Sequence, residues 1–212
     1  MQTAAEVLLL LVVLTNFAVL GTSRLRTCIH ALAAQGLLLG SLPLALAAPV
    51  TVHAGALAAG TVLVKAVALP WFLGWAIREA SVRREVEPVV GFIASLLLGA
   101  LGLALAFAIA ARLPLVEVRE PLLVPVALAT VVAGLIVITT RRKALTQVVG
   151  YLMLENGIYV FGLTQAQSVP FLLEVGVLLD VFAGVFIMGI VVFHINREFD
   201  SLDSTRLTEL KD

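Results

Sequence analysis

The sequence predicts an all-α polytopic membrane protein with seven transmembrane helices, its N-terminus outside and its C-terminus in the cytoplasm. Three observations carry this. The 212 residues are 61% hydrophobic and only 13% charged, whereas a soluble domain is roughly half apolar and about a quarter charged. The apolar residues fall into seven runs, each close to the ~20 residues that cross a bilayer as a helix. The basic residues between the runs are unevenly shared: eleven Lys/Arg lie in the first, third and fifth loops and the tail, and two in the second, fourth and sixth. By the preference of Lys and Arg for the cytoplasmic side, that imbalance sets the orientation in the inner (cell) membrane, and its parity requires an odd number of spans.

The first run covers about 4–21. No basic residue precedes it and no small-residue cleavage site follows, so it reads as a retained span and not as a signal peptide. Arg24 and Arg26 separate it from the second, about 28–48, which contains His30, Gln35 and Pro43. The third, about 54–77, carries Lys65 at its centre and Pro70 five residues later. Proline cannot donate to the carbonyl four residues back, so Pro70 opens an acceptor at Ala66, beside the lysine. A charged loop, 78–87, leads to the fourth run, about 89–111, whose polar side chain is Ser95. The fifth is about 121–140, and Arg141-Arg142-Lys143 divides it from the sixth, which holds Glu155. The seventh, about 170–195, contains Glu174 and Asp180, and a polar tail follows at 196–212.

The sixth run organises the rest. Gln147, Tyr151, Glu155 and Tyr159 recur every four residues, so a helix aligns them on one face. An ionisable group at mid-bilayer costs at least ~2.5 kcal/mol on insertion scales. Such a polar stripe suits a proton path, and it equally suits a hydrogen-bonded seam between helices. Lys65 and Asp180 fall at the same mid-span depth on two other helices. Asp180 is expected to be approached closely by a neighbour across Gly176, Ala183 and Gly184. Its plain reading is a register-setting ion pair, and Lys65 is either a structural counter-ion or a cation coupled to the acids. Glu174, six residues from Asp180, points about 240° away at ~100° per residue and reads as nearer the outer surface. His30, Gln35 and His53 read as helix-contact or interface residues, and Trp71, Trp75 and Tyr151 as packing or interface anchors.

Several function classes are excluded or disfavoured. One cysteine, Cys28, rules out an internal disulfide and a cysteine-based metal or iron–sulfur site. His30, His53 and His194 lie in different segments without ligand spacing, and there is no phosphate-binding glycine loop, nucleophile elbow or zinc motif. Nothing suggests an enzyme with chemistry of its own, and the zero net charge makes no case for nucleic acid. Spans one to three and five to seven share a layout: the amide–glycine pairs Gln35-Gly36 and Asn156-Gly157, then a central charge, Lys65 or Asp180. That layout suggests a duplicated three-helix unit.

The stretch Gly150-Tyr-Leu-Met-Leu-Glu155-Asn-Gly-Ile-Tyr-Val-Phe-Gly162 after a basic loop resembles the second helix of the K subunit of respiratory complex I and of the C subunit of multi-subunit sodium/proton antiporters. The segment from Leu178 to His194 resembles the third, with Asp180 where that family carries a second acid, one methylene shorter than the glutamate there. A longer chain with such a C-terminal part, and with Lys65-Ala-Val-Ala-Leu-Pro70-Trp71, resembles the E component of hydrogenase-4 and formate-hydrogenlyase complexes. The resemblance divides the chain into a four-helix region (1–112), a K-like three-helix region (113–195) and the polar tail (196–212). It implies a membrane-arm subunit in which Glu155, Asp180, Lys65, Tyr151, Tyr159 and Glu174 line a proton or ion path. It also implies that nickel–iron and iron–sulfur centres belong to partner subunits and that this chain binds no cofactor. The alternatives are a subunit of a sodium/proton antiporter without a redox partner, and a passive scaffold for catalytic partners.

Overall fold

The structure, a computed structural model, describes residues 2–46, 52–79, 88–113, 120–164, 179–189 and 193. The regular elements among the described residues are helices joined by short turns. In chain order they form α1 (Gln2–Leu20), α2 (Leu25–Leu46), α3 (Val52–Thr61), a π-helical segment (Val62–Ala68), α4 (Leu69–Glu79), α5 (Phe92–Ala110), α6 (Leu123–Thr140) and α7 (Ala144–Thr164). A shorter helix, α8, covers Leu179–Gly189. The segment α3–π–α4 is one continuous rod.

Among the described residues four stretches are long and apolar enough to cross a membrane: Leu25–Leu46, Gly55–Arg78, Phe92–Ala110 and Leu123–Thr140. Two more apolar helices, Ala4–Leu20 and Leu179–Gly189, are shorter. Helix α7 has 21 residues, but Gln147, Glu155 and Asn156 make it less apolar than these four. The sequence predicts seven spans; among the described residues, length and composition support four of them, and much of the seventh run, 170–178 and 190–192, lies outside the described residues. Glu174, His194 and the tail at 196–212 lie outside the described residues, as does the side chain of His53.

Helices in lipid gain little from the hydrophobic effect against one another and associate through close packing and hydrogen bonds. The tightest contact, α6 against α7, shows this. A Cβ on Gly134 would lie 2.5 Å from the Leu154 nitrogen, one on Gly150 would lie 2.9 Å from the Gly134 oxygen, and one on Gly157 would lie 2.7 Å from the Val131 nitrogen. The two backbones touch because three side chains are missing. Helix α5 turns a narrow face of Ser95, Gly99, Gly102 and Ala106 inward and leaves Ile93, Leu97, Leu101 and Leu105 exposed, the pattern of a peripheral helix facing lipid.

The buried side chains form two apolar layers. One contains Leu20, Leu25, Leu32, Leu73, Val137, Val149, Met153 and Ile187. The other contains Leu9, Val12, Leu39, Leu42, Val126 and Val160. Between them in chain order on α1, α2, α6 and α7 fall Asn16, Gln35, Thr130, Glu155 and Asn156, and Lys65 and Asp180 join that level from the rod and α8, where they border the first layer; all are buried. The fold is thus apolar, polar, apolar along its long axis. Arg24, Arg26, Arg78 and Arg141 lie beyond the first layer, so these four arginines gather at one end of the bundle. There Arg141, 2% exposed, donates to the Leu20 carbonyl at 2.9 Å and the Val90 carbonyl at 3.1 Å, and it lies 4.5 Å over the Phe92 ring. It satisfies a carbonyl that the C-terminus of α1 leaves open and ties α1, α5 and α6 together.

Candidate functional site

Lys65 lies in the π-helical segment, where the Leu69 N–H donates to the Val64 carbonyl five residues back. Pro70, next in line, has no N–H to resume the ordinary register, so an extra residue is accommodated in this turn. A π-helix of this kind is uncommon and concentrates at functional sites. The sequence points to the open acceptor near Pro70; the change of helix type around it is legible only in three dimensions. The wide turn is pressed against α2 at Gly36, where a Cβ would come within 2.6 Å of the Lys65 carbonyl carbon. Only glycine permits that approach.

From this position the Lys65 Nζ reaches between α7 and α8. It donates to Glu155 Oε1 in a buried ion pair and to Asp180 Oδ1 at 3.0 Å. The three side chains are 5%, 0% and 7% exposed. Glu155 is eleven residues from the start of α7 and nine from its end, as its mid-run position in the sequence predicts. Its second oxygen, Oε2, is buried with no hydrogen-bond partner. A void of about 10 Å³ is lined by Lys65, Glu155 and Asn156 with Leu32, Leu69, Pro70 and Leu152; that is roughly the room a single water needs. Asp180 shares its face with Ala183 and Ile187, both fully buried. Gly184 has nothing within 4 Å of where its Cβ would be, so the expected close approach is made at Ala183 and not at Gly184; Gly176 lies outside the described residues.

The tyrosines of the stripe have separate partners. Tyr159 OH and Thr61 Oγ1 are hydrogen-bonded at 3.1 Å, and Lys65 Nζ lies 5.7 Å from the Tyr159 ring centre. Tyr151 OH donates to the Leu179 carbonyl at 3.4 Å, beside Asp180. Gln147 donates to the Arg141 carbonyl at 2.9 Å, at the basic end. Glu174 lies outside the described residues.

Beside the charged triad runs an amide chain. Asn156 Nδ2 donates to Gln35 Oε1 at 2.8 Å, and Gln35 Nε2 donates to Asn16 Oδ1 at 2.9 Å and Thr15 Oγ1 at 3.0 Å. Asn16 Nδ2 donates to Thr130 Oγ1 at 2.8 Å, and Thr130 donates to the Val126 carbonyl at 2.8 Å. Every donor points the same way, from α7 through α2 and α1 to α6. Sequence reasoning treats Gln35 as a helix contact, which it is, but overlooks Asn16 and Thr130. The available signal was one small polar side chain on each of four helices at matching depth.

Charge bookkeeping defines what this arrangement can do. With all three groups ionised, the triad carries one excess negative charge in a site closed to solvent, and one proton on either carboxyl makes it neutral. Two carboxyls that share one proton across one ammonium form a coupled acid–base unit. Among the described residues no group of three His, Cys, Asp or Glu could hold a metal ion.

Comparison with known proteins gives two relationships. The chain is 35% identical over 206 residues to the uncharacterized protein Rv0085 of Mycobacterium tuberculosis, a match covering 94% of this chain and 92% of the relative. It is 34% identical over 100 residues to hydrogenase-4 component E of Escherichia coli K12, covering 47% of this chain and 46% of that protein; the same figures hold for Shigella flexneri. No family model and no solved structure matches.

Proposed function

The chain belongs to the same family as the Mycobacterium tuberculosis protein Rv0085, and from that premise we propose that it is a membrane subunit of a complex I-related, hydrogenase-type assembly that moves protons through Lys65, Glu155 and Asp180. The likeness to hydrogenase-4 component E over half of each chain supports the assembly. The lysine between two carboxylates, shut between two apolar layers, supports the proton role and is the observation that carries it. A fixed structural pair would need one acid. Two acids around one ammonium have a stable state with a proton and an accessible state without it.

In this reading Glu155 and Asp180 carry the proton alternately. Lys65 holds the charge on whichever is ionised, and Tyr151 and Tyr159 lie on either side of the exchange point. The redox centres belong to cytoplasmic partner subunits, and the basic end of the bundle faces them in the inner membrane. Glu155→Gln tests this. The variant keeps the size of the side chain and removes the titratable group, so the complex is expected to assemble while protons moved per electron in membrane vesicles fall several-fold. Pumping at the parent level would reject the carrier role. Nickel and iron copurifying with the complex would separate this reading from an antiporter subunit with no redox partner.

A further inference from the structure

A groove of about 580 Å³ opens between α2 and the π–α4 rod, on the outside of the bundle. At the basic end it is flanked by Arg26, His30 and Arg78, all exposed. Its walls then become apolar, through Ile29 and Ala33 on α2 and Val67 and Trp71 on the rod, and it ends at Ala66 and Pro70. Trp71 is 65% exposed. On α2 the lining residues are spaced as one helical face. On α4 the floor is Gly74, and the Arg78 Nη1 lies 3.9 Å from where a Cβ on Gly74 would be, so the guanidinium folds back over the groove.

We infer that this groove binds one anionic phospholipid, with its phosphate at Arg26 and Arg78 and one acyl chain along Trp71 toward Pro70. Three features select that ligand. The two guanidiniums converge on one end because α2 begins where α4 finishes, and among the described residues neither is in an ion pair. Basic pockets between membrane helices hold anionic headgroups, and each Lys or Arg at the surface adds to the attraction. The length also fits: from Ala66 to Arg78 is twelve residues, about 18 Å of helix at ~1.5 Å each. One leaflet of hydrocarbon is half of ~30 Å. The groove therefore spans a leaflet, with its charge at headgroup level and its apolar floor at acyl-chain level. A free phosphate would use only the first of these features.

The test uses the full chain in phosphatidylcholine vesicles, carrying Trp75→Phe so that Trp71 alone reports. Brominated phosphatidylglycerol is expected to quench Trp71 saturably, at a mole fraction about tenfold or more below that needed for brominated phosphatidylcholine. Arg26→Gln with Arg78→Gln is expected to erase the preference while circular dichroism keeps its helical signature. Native mass spectrometry of the unsubstituted chain, expected to retain a phosphatidylglycerol adduct in preference to phosphatidylcholine, serves if the double variant does not fold. Equal quenching by both lipids would overturn the site, as would a preference that survives the double substitution. So would no quenching by either lipid, which would mean that protein fills the groove.

Discussion

Replacing Lys65 by Met keeps the length of the side chain and removes the ammonium, leaving Glu155 and Asp180 together in a site where they are 0% and 7% exposed. The site can answer in two ways. If the site keeps its single proton, the remaining carboxylate is a buried charge that has lost its counter-charge, which costs about 3–5 kcal/mol. If the site takes up a second proton at pH 7, protonating an ordinary carboxyl that titrates near ~4 costs about 4 kcal/mol, at 1.36 kcal/mol per unit. Both routes give the same loss. For a chain of 212 residues, with roughly 2–4 °C per kcal/mol in this size range, the melting temperature in detergent is expected to fall by about 6–20 °C. The triple variant Lys65→Met, Glu155→Gln, Asp180→Asn carries no charge and should recover most of that loss, since neutral replacement of a whole buried ion set is often neutral or stabilising. Thermal unfolding followed by circular dichroism measures both. A Lys65→Met shift smaller than about 2 °C, or a triple variant no more stable than the single one, would show that the three groups do not act as one charge unit.

Two other substitutions probe the scaffold. Gly134→Leu puts a side chain where the α7 backbone already lies, and overpacking of this kind costs about 1–3 kcal/mol; the expected readout is lower thermal stability, and Gly184→Leu, facing open space, is the silent control. Gln35→Leu removes the middle of the amide chain and leaves the Asn156 donor and the Asn16 carbonyl unpaired. Each unsatisfied buried group costs about 1–3 kcal/mol, so it should destabilise more than Gln35→Leu combined with Asn156→Leu does per side chain removed, and a strictly additive pair would refute the chain.

Some of this was legible in the residues alone. Hydropathy along a membrane helix is a depth coordinate, so the first five apolar runs located their helices to within a few residues, and the interruptions placed Lys65, Glu155 and Asp180 at one level. The alternation of basic loops anticipated that Arg24, Arg26, Arg78 and Arg141 gather at one end. The number of spans was less secure. A helix that turns polar side chains into the bundle, as α7 does with Gln147, Glu155 and Asn156, lowers its own apolar signal.

Depth, however, says nothing about direction in the plane of the membrane. The sequence left open whether Lys65 pairs with Glu155 or with Asp180; the tertiary structure places its Nζ against both. It also decided that α8 packs through Ala183 and not Gly184, that the rod around Lys65 is π-helical, and that Asn16, Gln35, Asn156 and Thr130 join hands across four helices. The reason is physical. A span's length and polarity are set by the bilayer, residue by residue, whereas which faces meet is set by where backbones can touch. In this chain those contacts lie at Gly36, Gly134, Gly150 and Gly157, and a glycine in a sequence does not name its neighbour.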